Sequence, residues 1–188
     1  MRKTPLDSFT EEGVHLADGT TYELDAIVLA TGFDAFTGAL ARIDIRGANG
    51  VALMERWREG PKTYLGLGTA GFPNLFIIAN AGSPSVLSNM VMAIEQHVDW
   101  TANCLEYMRR NGYRTIEATV ESQEQWVQTV EAIANMTVWP DGESGSWYRG
   151  ANIAGKPQMF MPYAGGIVEY EKAINESAAN DYAGFILR

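Results

Sequence analysis

The chain has 188 residues, of which 46% are hydrophobic and 20% charged, with a formal net charge of −9. This size and composition are typical of one globular domain, or of part of a larger one. No basic stripe is present to neutralise phosphates, which argues against a nucleic-acid or anionic-membrane partner. No stretch reaches the roughly 18 apolar residues of a membrane span. The single cysteine, Cys104, excludes an internal disulfide and suits a reducing, cytoplasmic compartment.

The first predicted elements are a hairpin and a buried strand. Residues 14–16 and 21–24 flank Asp18-Gly19, a typical hairpin turn. The run from Leu24 to Asp34 contains Ala-Thr-Gly at 30–32, and it reads as a buried strand that stops at a glycine turn. At such a turn the backbone can approach a ligand closely.

The middle of the chain is predicted to be mostly irregular. Residues 42–47 alternate like a short strand, and residues 51–60 could form one or two helical turns. Residues 74–80 read as a strong buried strand, followed by a loop over residues 81–88.

Three helices are predicted in the second half. The first runs from Asn89 to Arg110 and ends at Asn111-Gly112, a typical left-handed C-cap. Its apolar residues near helical spacing are Met90, Ile94, Val98, Leu105 and Met108. The second begins near residues 119–122, where Ser122 and Gln125 fit a capping box. The third covers about residues 167–179. The fold class is therefore α/β (α+β for the chain in isolation), with strands early and helices late.

Residues 66–71 match the G-x-G-x-x-G pattern of a dinucleotide-binding turn. That turn requires a helix immediately afterwards, whose N-terminal N–H groups hold the pyrophosphate. Here Phe72-Pro73 follows, and then a predicted strand. We interpret the match as accidental.

Other catalytic patterns are weak. His15 and His97 have no second ligand at zinc spacing, so we predict solvent-facing or capping roles for them and no metal site. Cys104 lies in a helical pattern and is predicted to be a packed thiol. There is no nucleophile elbow and no distinctive carboxylate pair, and no catalytic residue can be identified.

Two loops are candidates for ligand binding. Residues 83–90 lead from a predicted strand into a helix N-terminus, the place where open α/β sheets bind ligands. An ordinary strand-to-helix connection is the alternative. In the second loop, Trp147 and Tyr148 lie between Gly145 and Gly150, which suits a mobile lid. A tryptophan that merely anchors the loop is the alternative.

These segments together resemble the class B flavoprotein monooxygenases, specifically the Baeyer–Villiger monooxygenases. The matching motifs are Ala30-Thr31-Gly32-Phe33-Asp34, Gly60-Pro61-Lys62-Thr63-Tyr64, Gly71-Phe72-Pro73-Asn74, Gly82-Ser83-Pro84-Ser85, Ile94-Glu95-Gln96-His97, Ser146-Trp147-Tyr148 and Gly155-Lys156-Pro157. The resemblance implies an enzyme that uses FAD, NADPH and O₂ to insert one oxygen beside a ketone carbonyl, giving an ester or lactone.

The resemblance also assigns residues. It implies that Met90 approaches the FAD, that Trp147 is a lid residue contacting NADP, and that Thr31 and Gly32 lie in the hinge between two cofactor domains. The substrate-pocket residues it implies are Ser85, Val86, Leu87, Ser88, Asn89 and Met90. Residues 1–34 would end the NADP-binding domain, and residues 35–188 would form the C-terminal part of the FAD-binding domain.

The family's two glycine fingerprints, its F-x-G-x-x-x-H-x-x-x-W signature and its peroxyflavin-stabilising arginine have no counterpart in the chain. We therefore expect a C-terminal part of such an enzyme, inactive alone and prone to self-association. Asn80-Ala81 also stands where related proteins tend to have Gly-Pro. Two alternatives remain: a nitrogen- or sulfur-oxygenating class B monooxygenase, and a non-catalytic binding or structural remnant.

Overall fold

The structure, a computed structural model, describes residues 4–30, 32–139 and 146–188. It divides into two compact units, the first ending at Phe33 and the second beginning at Asp34. This division lies within one residue of the predicted boundary. The assignment of the units to two cofactor domains stays a prediction.

The first unit is a small antiparallel sheet. Its strands are β1 (Leu6–Phe9), β2 (Gly13–Leu16) and β3 (Thr21–Glu23), in that order across the sheet. The predicted hairpin is present, and β1 adds a strand that the sequence did not indicate. The hairpin turn is held by Asp18, whose carboxylate accepts a hydrogen bond from the backbone N–H of Thr20 at 2.9 Å. That bond lowers the pKa of Asp18.

The predicted buried strand within residues 24–34 was wrong. Residues 25–30 belong to no sheet in the described part of the chain, and Val28 and Leu29 are 86% and 71% exposed. The apolar pattern is that of a strand, but a strand forms only where a neighbour can pair with its backbone groups.

The second unit is built mainly from helices. These are α1 (Leu53–Arg56), α2 (Met90–Asn111), α3 (Val120–Asn135) and α4 (Ile167–Ala179). Short 3₁₀ turns occur at 40–42, 85–87 and 147–149. A two-stranded antiparallel sheet pairs β4 (Ile116–Ala118) with β5 (Phe185–Leu187). The described residues thus form a mixed α/β fold with small sheets, and none of their helices is long and apolar enough to cross a bilayer.

The helix ends follow from local chemistry. The Asn89 side chain accepts hydrogen bonds from the first N–H groups of α2, and Gly112 ends the helix with a φ of 74°. At α3 the predicted capping box was wrong. Thr119 is the N-cap, and its hydroxyl accepts from the Ser122 N–H at 3.0 Å. Ser122 therefore lies inside the first turn, where its backbone N–H is a donor, and it does not cap the helix.

The buried face of α2 also differs from the prediction. The buried positions are Ala93, His97, Trp100, Cys104 and Met108. Of the five apolar residues proposed from spacing, only Met108 is buried. The helix carries two adjacent apolar arcs, and this unit covers only one of them. Cys104 is packed and free, as predicted.

Two further strand predictions were wrong. Residues 75–79 form no strand, although the Ile77 N–H bonds the Leu67 carbonyl. The alternating residues 42–47 contribute a single bridge, between Arg46 and Ala52. Turns interrupt both stretches, and Asn74 has a φ of 61° at the start of the first.

Candidate functional site

The G-x-G-x-x-G match forms a turn and is followed by another turn, so neither the helix of a dinucleotide-binding turn nor the strand that we predicted comes after it. Tyr64 and Gly68 bridge across this turn. A Cβ at Gly66 would lie 2.8 Å from the Cβ of Ser83, so glycine is required there for close packing. Gly66 therefore lets this turn pack against residues 81–89, which we call the pocket loop because they include the predicted pocket residues 85–89.

The pocket loop enters α2 through a tight 3₁₀ turn. Ser85 is buried and has a left-handed φ of 47°, and its carbonyl accepts from both the N–H and the hydroxyl of Ser88. The Ser85 hydroxyl lies 3.7 Å from the Met90 sulfur. Val86 and Met90 are 37% and 38% exposed. The predicted pocket residues thus form one compact turn that leaves apolar side chains accessible.

A buried hydrogen-bond chain holds the start of the pocket loop. The Ala79 N–H donates to His97 Nδ1 at 3.1 Å, and His97 Nε2 lies 2.6 Å from the Tyr170 hydroxyl. That hydroxyl donates to the Leu65 carbonyl at 2.5 Å. The prediction that His97 faces solvent or caps was wrong, because its side chain is fully buried.

The protonation of His97 follows from these partners. Since Nδ1 accepts a hydrogen bond from the Ala79 N–H, the ring proton of neutral His97 is assigned to Nε2, which donates a hydrogen bond to the Tyr170 hydroxyl. Burial lowers the pKa of His97 to about 4, in agreement with a neutral ring. Burial raises the pKa of Tyr170 well above its usual value, so its hydroxyl stays a donor.

Three other groups fix the loop from the core side. The Thr63 hydroxyl donates to the Ala81 carbonyl, and the Trp126 indole donates to the Gly82 carbonyl, both at 2.9 Å. The Tyr163 N–H donates to the Ser83 carbonyl at 2.8 Å. The loop backbone thereby accepts hydrogen bonds at three successive carbonyls, which hold it against the core.

The predicted lid loop, residues 146–152, contains a 3₁₀ turn at 147–149. Trp147 is half-buried, stacked on Tyr148 with ring centroids 4.3 Å apart and tilted against Phe36 at 5.7 Å. It is neither a fully exposed lid nor a core anchor. Gly145, the glycine before this loop, lies outside the described residues.

The structure brings the pocket loop and the lid loop together. The Met161 N–H donates to the Tyr148 carbonyl at 3.0 Å, and the Met161 carbonyl accepts from the Gly82 N–H at 2.7 Å. One residue therefore joins the two loops. No local sequence pattern indicates this contact.

Residues 34–36 form a second junction between these loops. The Asn80 side chain, just before the pocket loop, donates to the Phe36 carbonyl at 2.7 Å. The Lys156 ammonium, just after the lid loop, pairs with Asp34 and donates to the Ala35 carbonyl at 3.1 Å. The Lys156 side chain is 12% exposed and the Asp34 side chain 38%, so the lysine end of this ion pair is shielded from solvent and the aspartate end is not.

Part of the strained backbone lies at this site. Seven non-glycine residues in the described part of the chain have positive φ, and four of them are Phe36, Leu65, Ala79 and Ser85. Such conformations are unfavourable for residues with a Cβ and persist where the surroundings enforce them, often at functional sites. All four lie in or beside the loops described above.

Thr31 and Gly32 are the two predicted hinge residues. Thr31 lies outside the described residues. Gly32 has a φ of 81° and no neighbouring atom within 4 Å of the place where a Cβ would stand. It belongs to the unit that ends at Phe33.

Sequence reasoning missed His97, Tyr170, Asn80, Met161 and Lys156. The burial of His97 was detectable, because it shares helical spacing with Ala93, Trp100 and Cys104. The other contacts join segments far apart in sequence, and no local pattern encodes them. In the described part of the chain no cluster of three or more His, Cys, Asp or Glu side chains could hold a metal ion.

No family model matches this chain. Curated proteins do match it. It is 40% identical over 188 residues to acetone monooxygenase (methyl acetate-forming) from Gordonia sp. strain TY-5, covering all of this chain and 35% of the relative. It is 39% identical to cyclohexanone 1,2-monooxygenase from an Acinetobacter species, covering 98% of this chain and 33% of that protein. Phenazine N-monooxygenase from Lysobacter antibioticus is 37% identical over all of this chain and 34% of its own length.

Solved structures also match this chain. A closed crystal structure of cyclohexanone monooxygenase matches with a TM-score of 0.89 and 40% identity, over 99% of this chain and 34% of that one. A complex of OTEMO with FAD and NADP matches with a TM-score of 0.87 and 35% identity, over 100% and 34% respectively. The chain thus spans about one third of the length of the proteins it matches.

Proposed function

We propose that this chain, whose homologues along its whole length are Baeyer–Villiger monooxygenases, forms the substrate-pocket and lid region of such an enzyme. The enzyme would be FAD- and NADPH-dependent and would insert one oxygen atom from O₂ next to a ketone carbonyl. The observation that carries the proposal is the junction at Met161, where the predicted pocket loop and the predicted lid loop are hydrogen-bonded through one residue.

The residues present fit a flavin and a ketone. Met90 and Val86 offer accessible apolar side chains, and the serines beside them are small enough for close approach. When bound, the reduced flavin supplies the electrons that activate O₂. The protein's share is to orient the ketone against Met90 and to keep water away with Trp147.

We assign roles to the loops on this basis. Residues 85–90 would form one wall of the ketone pocket, with Met90 also facing the FAD. Trp147 would contact NADP, and Thr31 with Gly32 would allow the two cofactor domains to move. The isolated chain would be inactive, because among its described residues no helix follows a glycine fingerprint to hold a pyrophosphate. A cytoplasmic location would suit the free, buried Cys104.

The experiment joins this chain to the remaining two thirds of Gordonia acetone monooxygenase and supplies acetone, cyclohexanone, NADPH and ¹⁸O₂. We expect one ¹⁸O atom in each ester or lactone product. Ketone-independent NADPH oxidation with no oxygenated product would contradict the proposal. The control is the parent acetone monooxygenase under the same conditions.

Nitrogen oxygenation is the second candidate. It is favoured by the match to phenazine N-monooxygenase, whose identity of 37% is close to the 40% and 39% of the two ketone-named relatives. The same hybrid given phenazine distinguishes the two. An N-oxide without ester formation would favour this candidate, and a flavin-loaded hybrid that oxygenates neither substrate would favour a non-catalytic remnant.

A further inference from the structure

The hydrogen-bond chain through His97 ends on strained backbone at both sides. One end is the N–H of Ala79, with a φ of 49°, and the other is the carbonyl of Leu65, with a φ of 54°. Neither residue is glycine, so each needs its surroundings to keep it left-handed. The four hydrogen-bonded groups are the Ala79 N–H, the His97 ring, the Tyr170 hydroxyl and the Leu65 carbonyl. They connect the residues just before the pocket loop to the turn against which that loop packs.

The two side chains in this hydrogen-bond chain are those of His97 and Tyr170. Burying their polar atoms costs free energy that packing alone would not require. His97 and Tyr170 are both fully buried, on α2 and α4. Apolar side chains of similar size would fill the same space without the desolvation of a ring nitrogen and a hydroxyl. Every polar atom of the pair instead finds a partner, and the outer partners are the backbone groups of Ala79 and Leu65.

The position of Ala79 gives this bonding a consequence for the site. Ala79 directly precedes Asn80, whose side chain reaches Phe36, and the pocket loop begins at Ala81. A rotation at Ala79 would therefore change the direction in which residues 81–89 leave the core. Ser85 and Met90 would move with it.

We propose that His97 and Tyr170 are positioning residues for the predicted pocket loop, holding Ala79 and Leu65 in left-handed conformations so that residues 85–90 take one fixed arrangement. The proposal rests on the proposed function only in that it calls residues 85–90 a substrate pocket. The hydrogen-bond chain itself needs no flavin and can be tested in this protein chain alone.

The first test measures amide hydrogen exchange by NMR in the full chain and in Tyr170→Phe. The phenylalanine ring keeps the shape of the core and removes the hydroxyl between His97 and Leu65. We expect the Ala79 amide to exchange at least tenfold faster and the amide signals of residues 85–90 to shift, while Val130 in α3 keeps its rate. The matched control is Tyr64→Phe, which removes a tyrosine hydroxyl bonded to the Ala183 carbonyl at 3.0 Å.

A second pair of variants keeps the proposal falsifiable if Tyr170→Phe fails to fold. His97→Asn retains an acceptor near the Nδ1 position, and His97→Ala removes it. We expect Ala79 to exchange at least tenfold more slowly in His97→Asn than in His97→Ala. Equal rates in these two variants would overturn the proposal. So would an unprotected Ala79 amide in the unsubstituted chain, or acceleration in Tyr170→Phe that is uniform along the sequence.

Discussion

His97 is a buried ionisable residue whose charge depends on its surroundings in the folded protein. Its neighbours Glu95 and Asp99 are exposed, whereas the helix turns the imidazole inwards. There it is neutral and bonded at both nitrogens. The folded protein resists protonating it, and that resistance can be measured.

We predict that the free energy of unfolding decreases as the pH falls from 7 to 4. The pKa of His97 is about 4 in the folded chain and about 6.5 when unfolded, so between these values the unfolded chain binds the extra proton. Stability is then fully present above pH 6.5 and is lost by roughly 3 kcal/mol on reaching pH 4. Urea unfolding at several pH values measures this.

The control for this prediction is His97→Asn, since carboxylates also titrate in the same range. The difference in unfolding free energy between the two proteins isolates the histidine. A difference that does not change with pH would contradict the prediction.

Trp147 has a separate consequence at the residue scale. In the hybrid enzyme, Trp147→Ala should lower the yield of oxygenated product per NADPH by roughly tenfold, equivalent to about 1.4 kcal/mol. Flavin reduction should change less, because a lid acts by excluding water. Stopped-flow reduction and product analysis measure the two steps. Tyr148→Phe, which keeps the stacked ring, should behave as the parent does, and an unchanged yield in Trp147→Ala would argue against a lid.

Among the elements, α2 shows what periodicity can and cannot predict. Its start, its end and its C-cap at Gly112 were predictable, because capping depends on a few adjacent residues. Its buried face was not. Two apolar arcs lie side by side on the helix, and nothing in the local sequence says which one this unit covers.

The strands were harder to predict for a related reason. Residues 25–30 and 75–79 have the apolar composition of buried strands but lie in no sheet in the described part of the chain. Strand formation depends on a partner that local sequence does not specify. The candidate site has the same limit: the two loops could be named as candidates from local sequence, while their junctions at Met161 and Phe36 depend on distant contacts.

The N-cap of α3 gives a prediction at the scale of an element. Thr119→Ala should destabilise the chain by about 1 kcal/mol, because the Ser122 N–H loses its acceptor. Ser122→Ala should change stability by less than about 0.5 kcal/mol. Thermal or urea unfolding compares the two variants. A larger loss of stability in Ser122→Ala than in Thr119→Ala would contradict this prediction and would support the capping box at Ser122 and Gln125.

For the whole molecule, the uncovered apolar surface is the dominant feature. Besides its buried face, α2 exposes Met90, Val91, Ile94, Val98 and Leu105. Exposed apolar patches of this kind mark interfaces. The relatives are about three times as long as this chain, so a further part of a larger protein is one natural cover for this surface.

We predict that the isolated chain self-associates through this surface at low micromolar concentration. Light scattering measures the assembly. Val98→Lys should shift the chain towards monomer, because a charge would be placed within the apolar arc. Val168→Lys, at an exposed apolar position of α4, should have little effect. A monomer with a cooperative melt would contradict the prediction.

The aromatic stack at Trp147 also gives the molecule an optical reporter. Trp57, Trp100 and Trp126 are buried, so their emission should be insensitive to events at the surface. Trp147 is half-buried against Tyr148 and Phe36, and Trp139 packs edge-on against the same Tyr148. In a Trp139→Phe background, a shift of the fluorescence maximum would therefore follow Trp147 as it leaves or joins the stack. The part of the protein proposed to move thus carries its own label, and its motion can be timed without attaching a dye.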